Sequence, residues 1–236
     1  MNLTKSLFDR AAFFFLGILL FSFWGFWVTY FRRPAGTVIT LEHVHGVAMF
    51  AWVALMVSQA TLIRVKQRKL HRTLGKLSYL LVPLIVVSTI SLGHHKLLQR
   101  EVSDAGIYVF GLQFLGLVPF MVFYGLAMLR RAQPDVHARW MVCTAITLLD
   151  PIFGRIIAIN FLPVPLETGI INSMTFGAMA ALTAGLALLD YRDSGRRDVF
   201  LPALLIMAIP QTLFLLFWQG SFWRGFAAWF AALPIS

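Results

Sequence analysis

Seven long apolar segments follow one another along the chain, and they constrain its fold more than any other feature. Each holds roughly 18–24 residues, the length that a helix needs to cross the hydrocarbon core of a bilayer. A segment in lipid must satisfy its own backbone hydrogen bonds, which favours the α-helix. The sequence therefore predicts an all-α, polytopic transmembrane helix bundle in one integral membrane domain, residues 1–236. The predicted spans are about 11–31, 44–63, 73–93, 106–129, 140–163, 167–189 and 199–218.

The composition supports a membrane protein over a soluble one. Of the 236 residues, 59% are hydrophobic and 13% are charged, which is more apolar surface than a soluble domain of this length can bury. The single cysteine, Cys143, excludes an internal disulfide and a metal site built from several cysteines. The net charge of +10 does not point to nucleic acid, because the basic residues cluster between apolar segments. The expected partner is the lipid bilayer.

The distribution of basic residues predicts the orientation in the membrane. With the N-terminus in the cytoplasm, fourteen of the twenty Lys and Arg residues fall on the cytoplasmic side and six do not. Cytoplasmic loops carry this excess in membrane proteins. No small-residue cleavage site follows the first segment, so we interpret it as a retained signal-anchor helix. Seven spans then put the C-terminus outside, and below, "inner" and "outer" refer to this predicted orientation.

Large apolar residues recur at helical spacing after the last predicted span. This pattern predicts a short amphipathic helix that lies on the outer membrane interface. The residues that form the pattern are Phe222, Phe226, Trp229, Phe230 and Leu233.

All six histidines fall at predicted helix ends, where two helices can present a pair of imidazoles. Such a pair is what a b-type haem requires. His71 and His137 form the candidate pair at the inner end. At the outer end His45 is the candidate partner of His94 or His95.

Two other interpretations of the histidines are alternatives to haem binding. His43 and His45 follow Glu42 closely, which makes them a candidate copper or zinc site. We consider a metal ion less favoured than haem. A chain without any cofactor is equally compatible, because histidine is stable at a membrane interface. One site is favoured over two, since His71 and His94 stand about 35 Å apart along one helix.

One face of the second predicted span carries three polar or aromatic residues at seven-residue spacing. These residues are His45, Trp52 and Gln59. Side chains at this spacing lie on the same side of a helix. The face supports a site inside the bundle that begins at His45.

Asp150 and Arg155 lie inside the fifth predicted span, where ionised side chains are costly and are therefore candidates for function. They are about 140° apart on an undistorted helix and cannot pair simply along it. Pro151 is expected to kink the helix. Arg155 would hold an anionic group such as a haem propionate, a quinone oxygen or a carboxylate substrate, and Asp150 would carry protons. The alternative is a structural polar contact. The polar partners available in other spans are Gln59, Gln113, Asn172 and Gln211.

Two histidine motifs resemble those of a known family. Leu70-His71-Arg72-x-x-Gly75 opens one helix, and His137-x-Arg139-Trp140-Met141 opens another, with Arg155 eighteen residues after His137. Together they resemble a family of uncharacterised bacterial polytopic membrane proteins with a domain of unknown function, over roughly residues 41–160. The resemblance implies a helical protein of the bacterial inner membrane, with His71, His137 and Arg155 as signature positions.

A weaker likeness is to the diheme transmembrane cytochromes b of the ascorbate-reducing type. The long spacing of histidines on the third span departs from that pattern. The first functional hypothesis is a protein that binds haem b and transfers electrons to or from a quinone. The alternatives are a small-molecule or proton-coupled transporter and a non-catalytic protein that docks with another membrane protein. Whether the chain is an enzyme stays open.

Overall fold

The computed structural model describes residues 3–34, 36–99 and 102–235, and helices dominate all three ranges. The first helix, α1 (Leu3–Phe26), continues into a π-helical turn at Trp27–Phe31. The helices are α1 Leu3–Phe26, α2 Thr40–Arg64, α3 Arg68–Gly75, α4 Ser78–Gln99, α5 Asp104–Leu129, α6 Pro134–Ile146, α7 Leu149–Asn160, α8 Ile170–Ser194, α9 Phe200–Phe217 and α10 Ser221–Ala231.

Seven helical segments in the described part of the chain are long and apolar enough to cross a membrane. Four of them are the single helices α2, α5, α8 and α9, and the first, Asp9–Phe31, joins most of α1 to the π-helical turn. The third span joins α3 to α4, and the fifth joins α6 to α7. The predicted all-α bundle with seven spans is therefore confirmed.

The third span differs from its prediction in length and continuity. It extends over Arg68–Gln99, beyond both ends of the predicted 73–93. The helix is interrupted between Gly75 and Ser78. There the Ser78 hydroxyl donates a hydrogen bond to the Gly75 carbonyl at 2.6 Å. This bond satisfies a carbonyl that the broken helix leaves free.

The fifth span breaks before Pro151 rather than at it. The helix α6 ends at Ile146 and α7 begins at Leu149, so the disruption expected from Pro151 lies one turn before that residue. Proline lacks the N–H that would bond the carbonyl four residues earlier, which here belongs to Thr147, and its ring crowds that carbonyl. Pro151 itself fits the first turn of α7, where no such N–H is needed.

The spans pack mainly against their neighbours in sequence, with α2 between α1 and α4, and α5 between α4 and α6. The helix α7 contacts both α1 and α8, which brings the second half of the broken span into the middle of the bundle. A continuous apolar core runs through the bundle and includes Trp52, Phe123 and Ile146, each essentially inaccessible.

The predicted amphipathic helix after the last span is present as α10. It packs against α4 and α5 through Ala227 and Phe230, which are buried with Leu97 and Phe110. Its other face is exposed, with Phe222 at 76% and Trp229 at 58%. These two faces fit a helix that rests on the bundle and offers aromatic rings to the membrane interface.

Gly111 permits the close approach of α5 and α9. A methyl group at this position would overlap the ring of Phe214, which is itself buried. We expect Gly111→Ala to lower the free energy of unfolding by about 1–3 kcal/mol, because an overpacked core must shift. The measurement is thermal unfolding in detergent. Gly116→Ala on the same helix is the control, since its methyl group would meet nothing within 4 Å, and an equal loss there would contradict the prediction.

Candidate functional site

A hydrogen-bonded polar cluster lies around Asp150 at the break in the fifth span. The Asp150 carboxylate accepts hydrogen bonds from the Thr175 hydroxyl and from the Asn172 amide, the latter at 3.3 Å. The Asn172 carbonyl oxygen in turn accepts from the Gln211 amide and from the Tyr108 hydroxyl, the latter at 3.5 Å. Four helices, α5, α7, α8 and α9, therefore contribute to one cluster.

The partners of Asp150 are shielded from the surroundings of the bundle. Asn172, Thr175, Gln211 and Tyr108 are each no more than 5% exposed. Buried polar groups of this kind need hydrogen bonds to one another. Asp150 also lies in the first turn of α7, where the positive end of the helix dipole stabilises a carboxylate. The cluster can thus hold a negative charge inside the bundle.

A cleft opens beside this cluster. Asp150 and Gln211 supply polar atoms to its wall, and its empty volume is about 320 Å³ with the open mouth included. Its enclosed part has room for about one water molecule. The rest of the lining comprises Leu115, Gly116, Thr147, Phe176, Met179 and Met207.

Arg155 does not form an ion pair with Asp150. Its Nη1 atom donates to the Pro151 carbonyl at 2.8 Å, and its guanidinium lies 4.4 Å from the centre of the Phe26 ring. Its positive charge nevertheless interacts with Asp150 and with His45. Three of the predicted site residues, His45, Asp150 and Arg155, therefore lie close enough together to interact electrostatically.

The outer histidines have separate surroundings. His45 Nδ1 lies 3.2 Å from the Ser88 hydroxyl on α4. His43 Nδ1 lies 2.8 Å from the Tyr30 hydroxyl. His94 is 1% exposed and stacks edge-on against Phe230 of α10. Neither ring nitrogen of His94, nor Nε2 of the neighbouring His95, has a hydrogen-bond partner among the described residues.

Glu42 links two parts of the outer end. Its carboxylate forms ion pairs with Arg33 at 2.9 Å and with Lys96 at 2.6 Å, so each oxygen has a cationic partner.

Within the ranges that the structure describes, no three His, Cys, Asp or Glu side chains lie close enough together to bind one metal ion. The metal site at His43 and His45 remains a prediction.

The inner histidines His71 and His137 are each anchored through one ring nitrogen. His71 Nδ1 lies 3.4 Å from the Gln59 carbonyl, and His137 Nδ1 lies 2.8 Å from the Ala127 carbonyl. Because a carbonyl only accepts, Nδ1 must carry the proton, and the neutral ring then offers a lone pair at Nε2. The two rings are close enough to interact electrostatically. Metal-bound histidines have this same anchoring.

The other two predicted polar residues lie away from Asp150. The Gln113 side chain occupies the space beside Gly93, where a methyl group would collide with its carbonyl oxygen. The Gln59 side chain lies against Gly75, and its Nε2 atom has no partner among the described residues. Of the four expected partners, Asn172 bonds Asp150 directly and Gln211 bonds it through Asn172.

A buried ion pair at the inner end was missed by sequence reasoning. Arg139 donates to both oxygens of Asp190, at 2.8 and 2.6 Å, and both side chains are almost inaccessible. Arg139 is one of the fourteen basic residues assigned to the cytoplasmic side, but it lies inside α6. The feature of the sequence that could have predicted this pair is the acidic residue Asp190 near the end of an apolar segment.

Thr175 and Tyr108, which belong to the cluster around Asp150, were also not predicted. No feature of the sequence distinguishes them from other hydroxyl residues in apolar segments.

The fold and the polar cluster define a class of protein, an integral membrane protein with several α-helical spans and ionisable residues within the bundle. No protein-family model, curated protein or solved structure matches the chain. The resemblance carried by the motifs at His71 and His137 stays a prediction.

Proposed function

We propose that the protein is a proton-coupled transporter in which Asp150 is the group that binds and releases the proton. The observation that supports this most is the position of Asp150 at the break in the fifth span. There its carboxylate bonds Thr175 and Asn172 and also lines a cleft. Broken helices and ionisable residues in mid-membrane are typical of translocation sites.

The partners of Asp150 suit both of its protonation states. As a carboxylate it accepts from the Thr175 hydroxyl and the Asn172 amide. As a neutral carboxyl it becomes a donor, and the same hydroxyl can then accept. Because Thr175 can reverse its role by rotating one O–H bond, proton exchange requires little movement of the helices.

The cleft indicates the kind of solute that would travel with the proton. Its wall is largely apolar, with Phe176, Met179 and Met207, and its polar atoms come from Asp150, Gln211 and Thr147. Small-molecule sites combine an apolar lining with a few polar groups that orient the ligand. We propose a small solute with one hydrogen-bonding group, for which the helices around the cleft must separate, because the enclosed space holds about one water molecule.

The test is proton flux into proteoliposomes. Purified protein is reconstituted in lipid vesicles that contain a pH-sensitive dye, and a potassium diffusion potential provides the driving force. We expect the vesicles with protein to acidify more than protein-free vesicles. Proton movement is common to the proposal whichever solute is transported. Identical traces for the two kinds of vesicle would contradict it.

We propose haem b binding at His71 and His137 as a second candidate function. The anchored Nδ1 atoms support it, because they leave both Nε2 atoms in the form that binds iron. When bound, the haem would supply one-electron transfer, with a quinone or another protein of a bacterial inner membrane as its partner. Copper or zinc is less favoured, since the described residues offer no third ligand.

This second proposal predicts a coloured protein. The detergent-purified protein should show a Soret band that sharpens on reduction by dithionite, and His71→Ala or His137→Ala should remove it. His43→Ala is the matched control, since that ring lies at the outer end and contacts Tyr30. A colourless protein from haem-sufficient cells would contradict this proposal and leave the transport proposal standing.

A further inference from the structure

We propose that the cleft beside Asp150 is a binding site for one small monovalent cation of the size of sodium. The cation would lie in the closed cleft as the counter-ion of the Asp150 carboxylate. The inference goes beyond the proposed function, because the ion can bind whether or not Asp150 exchanges protons with a solute.

Among the described residues, no cationic side chain lies within hydrogen-bonding distance of the Asp150 carboxylate. Thr175 and Asn172 of α8, which bond it, are both neutral. Arg155 is about 140° away around α7, and its guanidinium lies over the Phe26 ring of α1. A carboxylate inside a bundle is costly unless a positive charge or a proton accompanies it. An ionised Asp150 therefore needs a cation close to it.

One oxygen of Asp150 is free to bind such an ion. Both hydrogen bonds to the carboxylate fall on Oδ1, and Oδ2 has no donor among the described residues. Asp150 also lines the cleft, and of the described residues around that cleft it alone is charged. A single negative charge balances a monovalent ion, whereas calcium needs a larger set of oxygen ligands.

The hydrogen-bond network leaves a second oxygen on Gln211. Because a carboxylate only accepts, the Asn172 amide must direct its N–H group to Asp150 and its carbonyl oxygen to Gln211. The Gln211 amide nitrogen donates to that oxygen. Its Oε1 atom is therefore left as an acceptor, in a buried side chain that lines the cleft.

Thr147 adds further oxygens to the wall of the cleft. Its hydroxyl donates to the Thr144 carbonyl at 2.8 Å, which leaves the lone pairs of Oγ1. Its own carbonyl lies four residues before Pro151, which has no N–H to bond it. Broken helices in transporters supply such carbonyls to sodium ions. The free oxygens of Asp150, Gln211 and Thr147 can only accept, which favours a cation over an anion or a carbonyl group.

The size of the cleft favours a small ion. Its enclosed part has room for about one water molecule. A sodium ion that has lost most of its water shell fits this space, and the larger potassium ion fits it less well. The solute of the proposed function needs the helices to separate, so the ion and the solute would use different states of the cleft.

Equilibrium binding of radioactive sodium to the detergent-purified protein tests the site. The assay is run at alkaline pH, where protons compete least. We expect saturable binding of one ion per chain, and displacement by unlabelled sodium at a concentration about tenfold below that of potassium. Thr147→Val keeps the side-chain shape and removes Oγ1, so it should weaken binding about tenfold. Gln211→Met should have a similar effect, and Asp150→Asn should abolish binding.

Thr183→Val is the matched control for Thr147→Val. Thr183 is a buried threonine of α8 whose hydroxyl donates to the Met179 carbonyl at 2.8 Å, and it is not among the described residues that line the cleft. Its replacement should leave the affinity for sodium unchanged. The proposal would be overturned by a wild-type protein without saturable binding, by equal displacement with potassium, or by equal affinities of the two threonine variants.

The same assay separates this proposal from the proposed function. Sodium binding without proton flux in the proteoliposomes would support the cation site and contradict the proton-exchange role of Asp150. Proton flux without sodium binding would overturn the cation site and leave that role standing.

Discussion

Asp150→Asn is expected to abolish proton flux in proteoliposomes, with a loss of at least about a hundredfold, while the protein stays folded. Asparagine has nearly the same shape as aspartate, and its carbonyl oxygen can still accept from Thr175. What it lacks is a proton that can be exchanged at physiological pH. The measurement is dye acidification under a fixed diffusion potential, together with the elution profile in detergent as a check on folding.

The matched control for this variant is Asp104→Asn. Asp104 is an exposed carboxylate at the start of α5 that pairs with Arg224 at 2.8 Å, far from the cleft. Its replacement should leave proton flux unchanged. Equal flux in Asp150→Asn and the wild-type protein would refute the role proposed for Asp150.

Arg139→Met is expected to lower the free energy of unfolding by about 3–5 kcal/mol, because it leaves the Asp190 carboxylate buried without its partner. Arg139 donates to both oxygens of that carboxylate, and a third bond runs from its Nη1 to the Asp135 carbonyl at 2.9 Å. The measurement is denaturant-induced unfolding in mixed micelles, followed by far-ultraviolet circular dichroism.

Two further variants test whether the loss of stability comes from the unpaired, buried charge of Asp190. Arg139→Met combined with Asp190→Leu removes both charges and should recover most of the loss, since a buried pair can be replaced by apolar residues. Arg196→Met breaks a partly exposed pair, in which the hydrogen bond from Arg196 lowers the pKa of Asp198. That change should cost no more than about 1 kcal/mol. Equal losses for Arg139→Met and Arg196→Met would contradict the prediction.

The spans could be predicted from the sequence because lipid imposes a simple rule. Any segment that crosses it must be apolar and must bond its own backbone, so length and hydropathy locate the helix. The breaks within spans follow from more local causes. Pro151 predicts a disruption of the helix but does not predict that the break lies at Thr147. The break between Gly75 and Ser78 contains no proline.

The candidate site could be predicted only in part, because hydropathy does not give the rotation of each helix. Asp150 and Arg155 were identified from their charge, and Asn172 and Gln211 were among the expected partners. Gln59 and Gln113 looked equally suitable in the sequence, yet they lie against glycines of other helices. Thr175, the closest partner of Asp150, could not be told from other hydroxyl residues within apolar segments.

The pairing of Arg139 with Asp190 shows the same limit at the inner end. The two residues are 51 positions apart and belong to different spans. Only the packing of α6 near the end of α8 brings them together. The basic residues of the loops predict the orientation of the protein in the membrane. That pattern does not distinguish the buried Arg139 from the exposed basic residues near it.

The break in the fifth span has a consequence for how the chain enters the bilayer during synthesis. With 13 residues in α6 and 12 in α7, each half is about 18–20 Å long, too short to cross a hydrocarbon core of about 30 Å. The second half also carries Asp150 and Arg155, each of which costs about 2.5–3.5 kcal/mol at mid-depth during insertion. The bonds from Asn172 and Thr175 to Asp150 offset part of that cost only when α8 is beside α7. We therefore expect the fifth and sixth spans to enter the membrane as one hairpin.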